Sequence, residues 1–294
     1  MGRALDDLID ILELEQLEVN LFRGISPDEE RQRVFGGQVA GQALVAAGRT
    51  VDADRHVHSL HAYFLRPGDT GIPIIYNVDR IRDGKSFATR RVVAIQHGHA
   101  IFNMSASFQV YESGPEHQYP MPDAPDPETL PTIREALEPY ADRFPAAFVD
   151  WIRRERPIDS RSTRLPRWLD PETSAREPEQ LVWFRANGTL PTDPLLHACV
   201  VAYASDLTLL DTAVMAHARS WDDDRFMLAS LDHAMWFHRP LDADQWLLYH
   251  QKSPSASGGR GLAEGFIYRE DGALAVTVIQ EGLIRPVKPG WESK

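Results

Sequence analysis

The chain has 294 residues, 43% of them apolar, with a formal net charge of −12 and a single cysteine. That length suits one large domain or two ordinary ones, with enough apolar material for a true core. The acidic balance argues against a general nucleic-acid binder. The lone Cys199 excludes an intrachain disulfide or a thiolate zinc site and reads as a small buried residue in a reducing, cytoplasmic setting.

No run of 18 apolar residues predicts a membrane-spanning helix. The acidic start MGRALDDLIDILELEQLEV does not read as a signal peptide, Asp6 does not suit myristoylation of Gly2, and the closing GWESK matches no retention or anchoring signal. In chain order, ALDDLIDIL puts Leu5, Leu8, Ile9 and Leu12 on one face of a short amphipathic helix. LEQLEVNLFRG alternates and reads as one strand ending at Gly24. Residues 35–51, FGGQVAGQALVAAGRTV, open on a Gly36-Gly37 turn and continue as a helix of small residues able to lie close to a sheet. Four strand-like runs follow, at about 56–66, 72–82, 86–97 and 99–112, punctuated by glycines.

From 113 to 178 the composition changes. About a dozen of the 21 prolines fall there, and YPMPDAPDPETLP cannot form a core strand. The stretch predicts a linker wrapped over the surface, with one short helix in PTIREALEPYADRF. Order then returns: a strand at 180–186, a helix at 192–214 with Asp193 as N-cap and Pro194 first, and strands at 228–238, 245–253, 260–270 and 273–285. The Asp-Gly of REDG at 269–272 predicts a tight hairpin.

The two halves repeat. Setting Arg66-Pro67 on Arg239-Pro240 gives an offset of 173, which also matches Phe64 with Phe237 and Tyr76 with Tyr249. Gln109 and Gln280 pair at 171, so one hairpin has lost two residues. The expectation is an internal duplication of class α+β, each repeat an antiparallel sheet wrapped around a long helix. The boundaries are 1–112 for the first repeat, 113–178 for the linker and 179–294 for the second repeat.

The phrases FGGQVAGQAL, SLHAYFLRPGD, YASDLTLL, SLDHAMWFHRP and IQEGLIR occur in that order between about residues 12 and 286. Together they resemble acyl-CoA thioesterase II, the TesB-like family of double hotdog enzymes. The resemblance implies hydrolysis of fatty acyl-CoA to free acid and coenzyme A, with no cofactor or metal. It also implies a water held by an acid, a hydroxyl and a glutamine of the second repeat, at the matching positions Asp206, Ser230 and Gln280. Assembly into a dimer or tetramer follows by fold-level analogy alone.

The residues themselves fit that chemistry. Asp206 falls inside an otherwise apolar predicted helix, where a carboxylate is costly unless paired or functional; burial would raise its pKa and suit it to act as a general base. No Gly-x-Ser-x-Gly surrounds Ser230, so it is assigned to orienting water rather than to attack. Alternation places Ser230 on one face with Asp232, Ala234, Trp236 and His238. Gln280 can both donate and accept. In the first repeat Val57 stands opposite Ser230 and no acid lies between Gln38 and Arg49, which assigns the chemistry to the second. An oxyanion partner would come from a helix-start amide or from the backbone near Gly258-Gly259.

For substrate, His61 is a candidate pocket residue against the alternative of a packed histidine. Coenzyme A phosphates would be met by Lys85 in DGKSF and by Gly258, Gly259 and Arg260 in SGGRG, at matching turns of the two repeats; Arg90, Arg91 and Lys252 are weaker candidates. Two rivals stand beside hydrolysis. Asp193 and His197, four apart, are similar to the pair used by hotdog enoyl-CoA hydratases. A non-catalytic acyl-CoA sensor is the other, and the intact Asp206, Ser230 and Gln280 argue against it.

Overall fold

The computed structural model describes residues 3–27, 33–165, 169, 177–217 and 226–287. Gly2 and the closing GWESK lie outside the described residues. The first half runs α1 (Arg3–Leu12), β1 (Glu15–Glu18), β2 (Leu21–Gly24), α2 (Gly36–Gly48), β3 (Arg55–Phe64), β4 (Ile74–Asp83), β5 (Phe87–Gln96) and β6 (His99–Val110). LEQLEVNLFRG is therefore a hairpin of two strands and not one, because the chain turns at Val19-Asn20 and pairs Gln16 with Phe22. The proline-rich stretch contributes α3 (Ile133–Leu137), α4 (Ala146–Arg153) and β7 (Ile158–Ser162). Thr132 and Glu135 close a reciprocal capping box at the start of α3. The second half runs β8 (Glu179–Ala186), α5 (Pro194–Ser205), α6 (Leu209–Val214), β9 (Phe226–Ser230), β10 (Asp232–Phe237), β11 (Leu247–Ser257), β12 (Arg260–Arg269) and β13 (Leu274–Pro286).

Among the described residues these strands form one sheet in the order β1-β2-β4-β5-β6-β3-β10-β13-β12-β11-β8-β7, with β9 beside β13. Read outward from β3 and β10, each half gives the same succession of matching strands, so a pseudo-twofold axis passes between them. The seam is antiparallel, with Tyr63 opposite Asp232 and His61 opposite Ala234. This is the α+β double hotdog that the repeat implied, fused into a continuous sheet.

The two long helices fill the space the sheet wraps, and they run antiparallel to each other. Small residues allow the approach. A Cβ on Gly41 would lie 3.2 Å from the Cys199 carbonyl oxygen, and one on Gly48 only 2.5 Å from Leu195 Cδ1. Residues 194–214 are long and apolar enough to cross a membrane. They are instead core, with Cys199, Val200, Val201 and Ala202 fully buried. The proline-rich stretch straps the outer face of the second repeat. There Met121, Ala124 and Leu130 pack on Trp183, Trp246, Leu248 and Tyr268, and Trp183 Nε1 donates to the Pro125 oxygen (2.9 Å). Arg185 and Arg161 lie over the Trp246 ring at 4.1 and 5.0 Å, a cation–π clasp on the strap.

Candidate active site

The helix expected over 192–214 breaks at Asp206. α5 ends at Ser205, Asp206 is its C-cap (φ −86°, ψ −3°), and α6 begins at Leu209. Asp206 is thus at a corner between two helices and not in the middle of one. One tertiary and one local bond mark the break: the Tyr249 hydroxyl donates to the Ser205 carbonyl (3.2 Å), and the Ser205 hydroxyl turns back within the helix to the Ala202 carbonyl (3.0 Å).

Ser230 reaches the same corner through a β-bulge. β9 pairs with β13 as Ser230 with Gly282, whereas β10 pairs with it as Ala234 with Ile279, so one extra residue, Leu231, lies between. Its N–H bonds the Glu281 oxygen and its carbonyl accepts from Phe64 N, both at 2.9 Å. An added residue swaps the faces of a strand. Ser230 therefore lies inside with His233 and Met235, while Asp232, Ala234 and Trp236 occupy the opposite face. The simple alternation that grouped Ser230 with Asp232 fails at this residue.

β13 carries the third group. Its alternation buries Val276, Val278, Gln280, Gly282 and Ile284. Gln280 Nε2 donates to Asp206 Oδ1 at 2.6 Å, and Ser230 Oγ donates to the same oxygen at 3.4 Å. A carboxylate can only accept, which fixes the amide with its nitrogen toward the acid. The amide oxygen, Gln280 Oε1, is buried with no partner among the described residues.

The first repeat contributes backbone. The Gly37 amide, at the N-terminus of α2, also donates to the Asp206 carboxylate. Gly36 has no room for a side chain: a Cβ would lie 2.7 Å from Asp206 Oδ2 and 2.9 Å from Phe64 Cε1. Sequence reasoning saw Gly36-Gly37 only as a turn. Paired glycines opening a helix are the signal, because a bare helix start is an anion site. Burial pushes the Asp206 carboxyl from 3.8 up to about 6, against the opposite pull of Gln280, Gly37 and Ser230.

A second carboxyl, Asp211 in α6, was not anticipated. Burial and the charge on Asp206 push it up from 3.8 to about 7. An acid held above its unfolded value binds its proton more tightly in the folded state. Stability is then lost as pH rises from about 4 to 7. Asp211→Asn should raise the melting temperature at pH 8, a gain on the order of 1–3 kcal/mol, and should do nothing at pH 4. Paired thermal melts at the two pH values check it.

The remaining candidates sit elsewhere. His61 is exposed on the outer face of the seam, its ring edge-on to Trp236 at 5.1 Å. Lys85 is exposed at the β4–β5 turn. Gly258 and Gly259 (φ +59° and +76°) make the two-residue β11–β12 turn, which demands left-handed backbone at both positions. Arg260 beside them pairs with Glu281 (2.8 Å), Arg91 with Asp79 (3.1 Å) and Lys252 with Glu179 (3.4 Å). Arg90 is excluded as a phosphate ligand: it is 1% exposed, and its guanidinium is taken by Thr50, Asp83 and the carbonyls of Arg82 and Thr89. Asp193 caps α5 by accepting from Leu195 N (2.9 Å), and His197 Nδ1 accepts from Ala243 N (2.8 Å).

Fold and geometry together define a double hotdog protein with a carboxylate-centred cluster, Asp206 with Gln280 and Ser230, at the junction of its repeats. Residues 155–283 match the family model described as acyl-CoA thioesterase, and residues 26–109 match the acyl-CoA thioesterase N-terminal domain. Human acyl-coenzyme A thioesterase 8 is 45% identical over 287 residues, 95% of this chain and 88% of that protein. Acyl-CoA thioesterase 2 of Haemophilus influenzae is 42% identical over 97% of this chain and 99% of its own. The crystal structure of an acyl-CoA thioesterase II, TesB2, from Mycobacterium marinum superposes with a TM-score of 0.78 at 46% identity, covering 98% of this chain and all of that one. The chain belongs to the acyl-CoA thioesterase family, in its TesB-like branch.

Proposed function

We propose that the protein hydrolyses fatty acyl-CoA to free acid and coenzyme A by direct attack of one water, with Asp206 as general base and Ser230 and Gln280 orienting that water. The observation that carries the reading is the short contact between Gln280 Nε2 and Asp206 Oδ1 (2.6 Å) with Ser230 Oγ on the same oxygen (3.4 Å), inside the fold. A carboxyl held near 6 is ionised at neutral pH yet more basic than a surface carboxylate, which suits proton abstraction. The base takes one proton from water as the oxygen attacks the thioester carbonyl. The partnerless Gln280 Oε1 is a hydrogen-bond acceptor for water's other O–H, which stays covalently intact in the step. Collapse of the tetrahedral species breaks the carbon–sulfur bond and releases the thiol, which takes up the abstracted proton.

A narrow, solvent-open cleft lies at the start of α2, lined by Ile11, Val34, Phe35, Gln38 and Tyr203, with the exposed Arg33 at its edge. Phe35 and Tyr203 border it edge to face at 5.1 Å and also flank Gly37, so the cleft lies beside the acid. We assign it to the pantetheine arm, with Arg33 near the phosphates. A cytoplasmic location, suited to a chain whose single cysteine is buried and free, and assembly into a homodimer or homotetramer, by fold analogy, belong to the same proposal.

The hydratase alternative loses support because Asp193 and His197 are both committed to backbone partners. Thiol release measured across a panel of acyl-CoA chain lengths tests the reading. Turnover at one length or more is expected. Hydration of crotonyl-CoA, or binding of every length without thiol release, would overturn it.

A further inference from the structure

The corner that carries Asp206 is gripped on both sides of the acid by β11, with β8 behind it. β11 turns Leu247, Tyr249 and Gln251 inward, as its period of two requires. Tyr249 holds the residue before the acid, through the Ser205 carbonyl. Gln251, fully buried, holds the residue two beyond it: its Nε2 donates to Thr208 Oγ1 at 2.6 Å. Gln180 lies directly opposite Gln251 on β8. Its amide nitrogen donates to Gln251 Oε1 (2.8 Å), Thr212 Oγ1 (3.0 Å) and the Thr208 carbonyl (3.2 Å), and Thr212 Oγ1 donates to Gln251 Oε1 (3.1 Å).

Two amides facing each other on the core side of a sheet are costly unless fully bonded. Here their partners, besides each other, are Thr208, the N-cap of α6, and Thr212 within it. Thr208 is the N-cap of α6, yet its hydroxyl makes no capping bond to that helix and is turned to Gln251 instead. Local helix stability has been given up for a tertiary hold on the segment that follows Asp206.

We propose that Gln251, with Gln180 behind it, is a positioning residue for hydrolysis, fixing the 206–208 corner so that the carboxylate stays in register with Gln280, Ser230 and the Gly37 amide. The proposal rests on the reading of Asp206 as the base. Gln251 does not touch the acid; it acts through Thr208.

The experiment compares Gln251→Leu, Thr208→Val and Asp206→Asn with wild type, following kcat per folded molecule, KM and the pH profile of kcat. Gln251→Leu is expected to lower kcat roughly 10- to 100-fold, with KM changed by no more than about two-fold. The acid limb of its profile should move to higher pH, because a misdirected carboxylate loses the donors that hold its pKa down. Thr208→Val keeps the shape and removes the hydroxyl, so it should shift the limb the same way with a smaller loss. Should Gln251→Leu not fold, Thr208→Val carries the test. Wild-type kcat in the variants, or a loss of kcat with the acid limb unmoved, overturns the positioning role. Near-wild-type turnover in Asp206→Asn overturns the base itself; a strongly depressed Asp206→Asn beside wild-type behaviour in the other two sinks the positioning role alone.

Discussion

Asp206→Asn should cut thioester turnover by about 10²- to 10⁴-fold, the range for removing a general base, while acyl-CoA still binds. Asparagine keeps the shape, and its carbonyl oxygen can still accept from Gln280 Nε2, so the site should stay closed while the proton acceptor is lost. The same substitution has an opposite effect on the fold. The carboxyl is raised from 3.8 to about 6, so the folded protein holds the proton more tightly than the unfolded chain does. Stability is therefore lost as pH climbs from about 4 to 6, and the penalty is complete above that window. Removing the ionisable group should stabilise the protein at pH 8 by on the order of 2 kcal/mol, a figure reduced for the partial exposure of the residue. At pH 4 the gain should vanish. Wild-type kcat should in turn fall on the acid side with a midpoint near 6, and the variant's residual activity should lack that limb. Thiol release against pH, with substrate binding and melts in parallel, checks all of this. A variant that keeps wild-type kcat would remove Asp206 from the chemistry.

Gly36→Ala should lower kcat by about 100-fold, on the scale expected when a reacting group is displaced by about 1 Å. By propensity alone the change is favourable, since alanine outdoes glycine in a helix by about 1 kcal/mol. Geometry decides otherwise. The added methyl would sit 2.7 Å from Asp206 Oδ2 and 2.9 Å from the Phe64 ring, so the acid or the aromatic must move. Of the two, the carboxylate stands at the helix corner, whereas Phe64 is held in the seam by its amide bond to the bulge at Leu231. Kinetics with a melt alongside distinguish the outcomes: a normal melting temperature with depressed kcat is expected, and unchanged kcat would mean the carboxylate tolerates the intrusion.

Much of the architecture was legible because it is written in local periods. The offset of 173 that matches Phe64 with Phe237 corresponds to β3 and β10, the two strands of the seam. The small residues of α2 signalled close approach, and that approach is to α5 as well as to the sheet. What stayed hidden depends on contacts between distant residues. Apolar periodicity runs through 194–214 without a break, so only the hold of Tyr249 and Gln251 reveals that the helix ends at Ser205. Alternation cannot show the extra residue at Leu231, because a bulge is defined against its partner strand. Asp206, Ser230 and Gln280 were found through resemblance to a family. Composition alone would not have singled out a glutamine in a buried strand, and it gave no hint of Asp211 or of the Gly37 amide. Arg90 looked like a phosphate ligand for the opposite reason: an arginine in a strand-like run shows its charge in the sequence but not its burial.

The antiparallel helix pair has two ends, and only one of them is equipped. Where α5 finishes on Asp206, α2 finishes on Arg49, a cation whose guanidinium is engaged by the Leu14 carbonyl and Glu13. Where α2 opens on bare glycines, α5 opens on Pro194, which has no N–H to offer, and Leu195 fills the space over Gly48. On the proposed reading of Asp206, duplication left a single turnover centre among the described residues. A tight thioester mimic should saturate it at one equivalent per chain, and the vestigial end is free to drift under selection for packing alone.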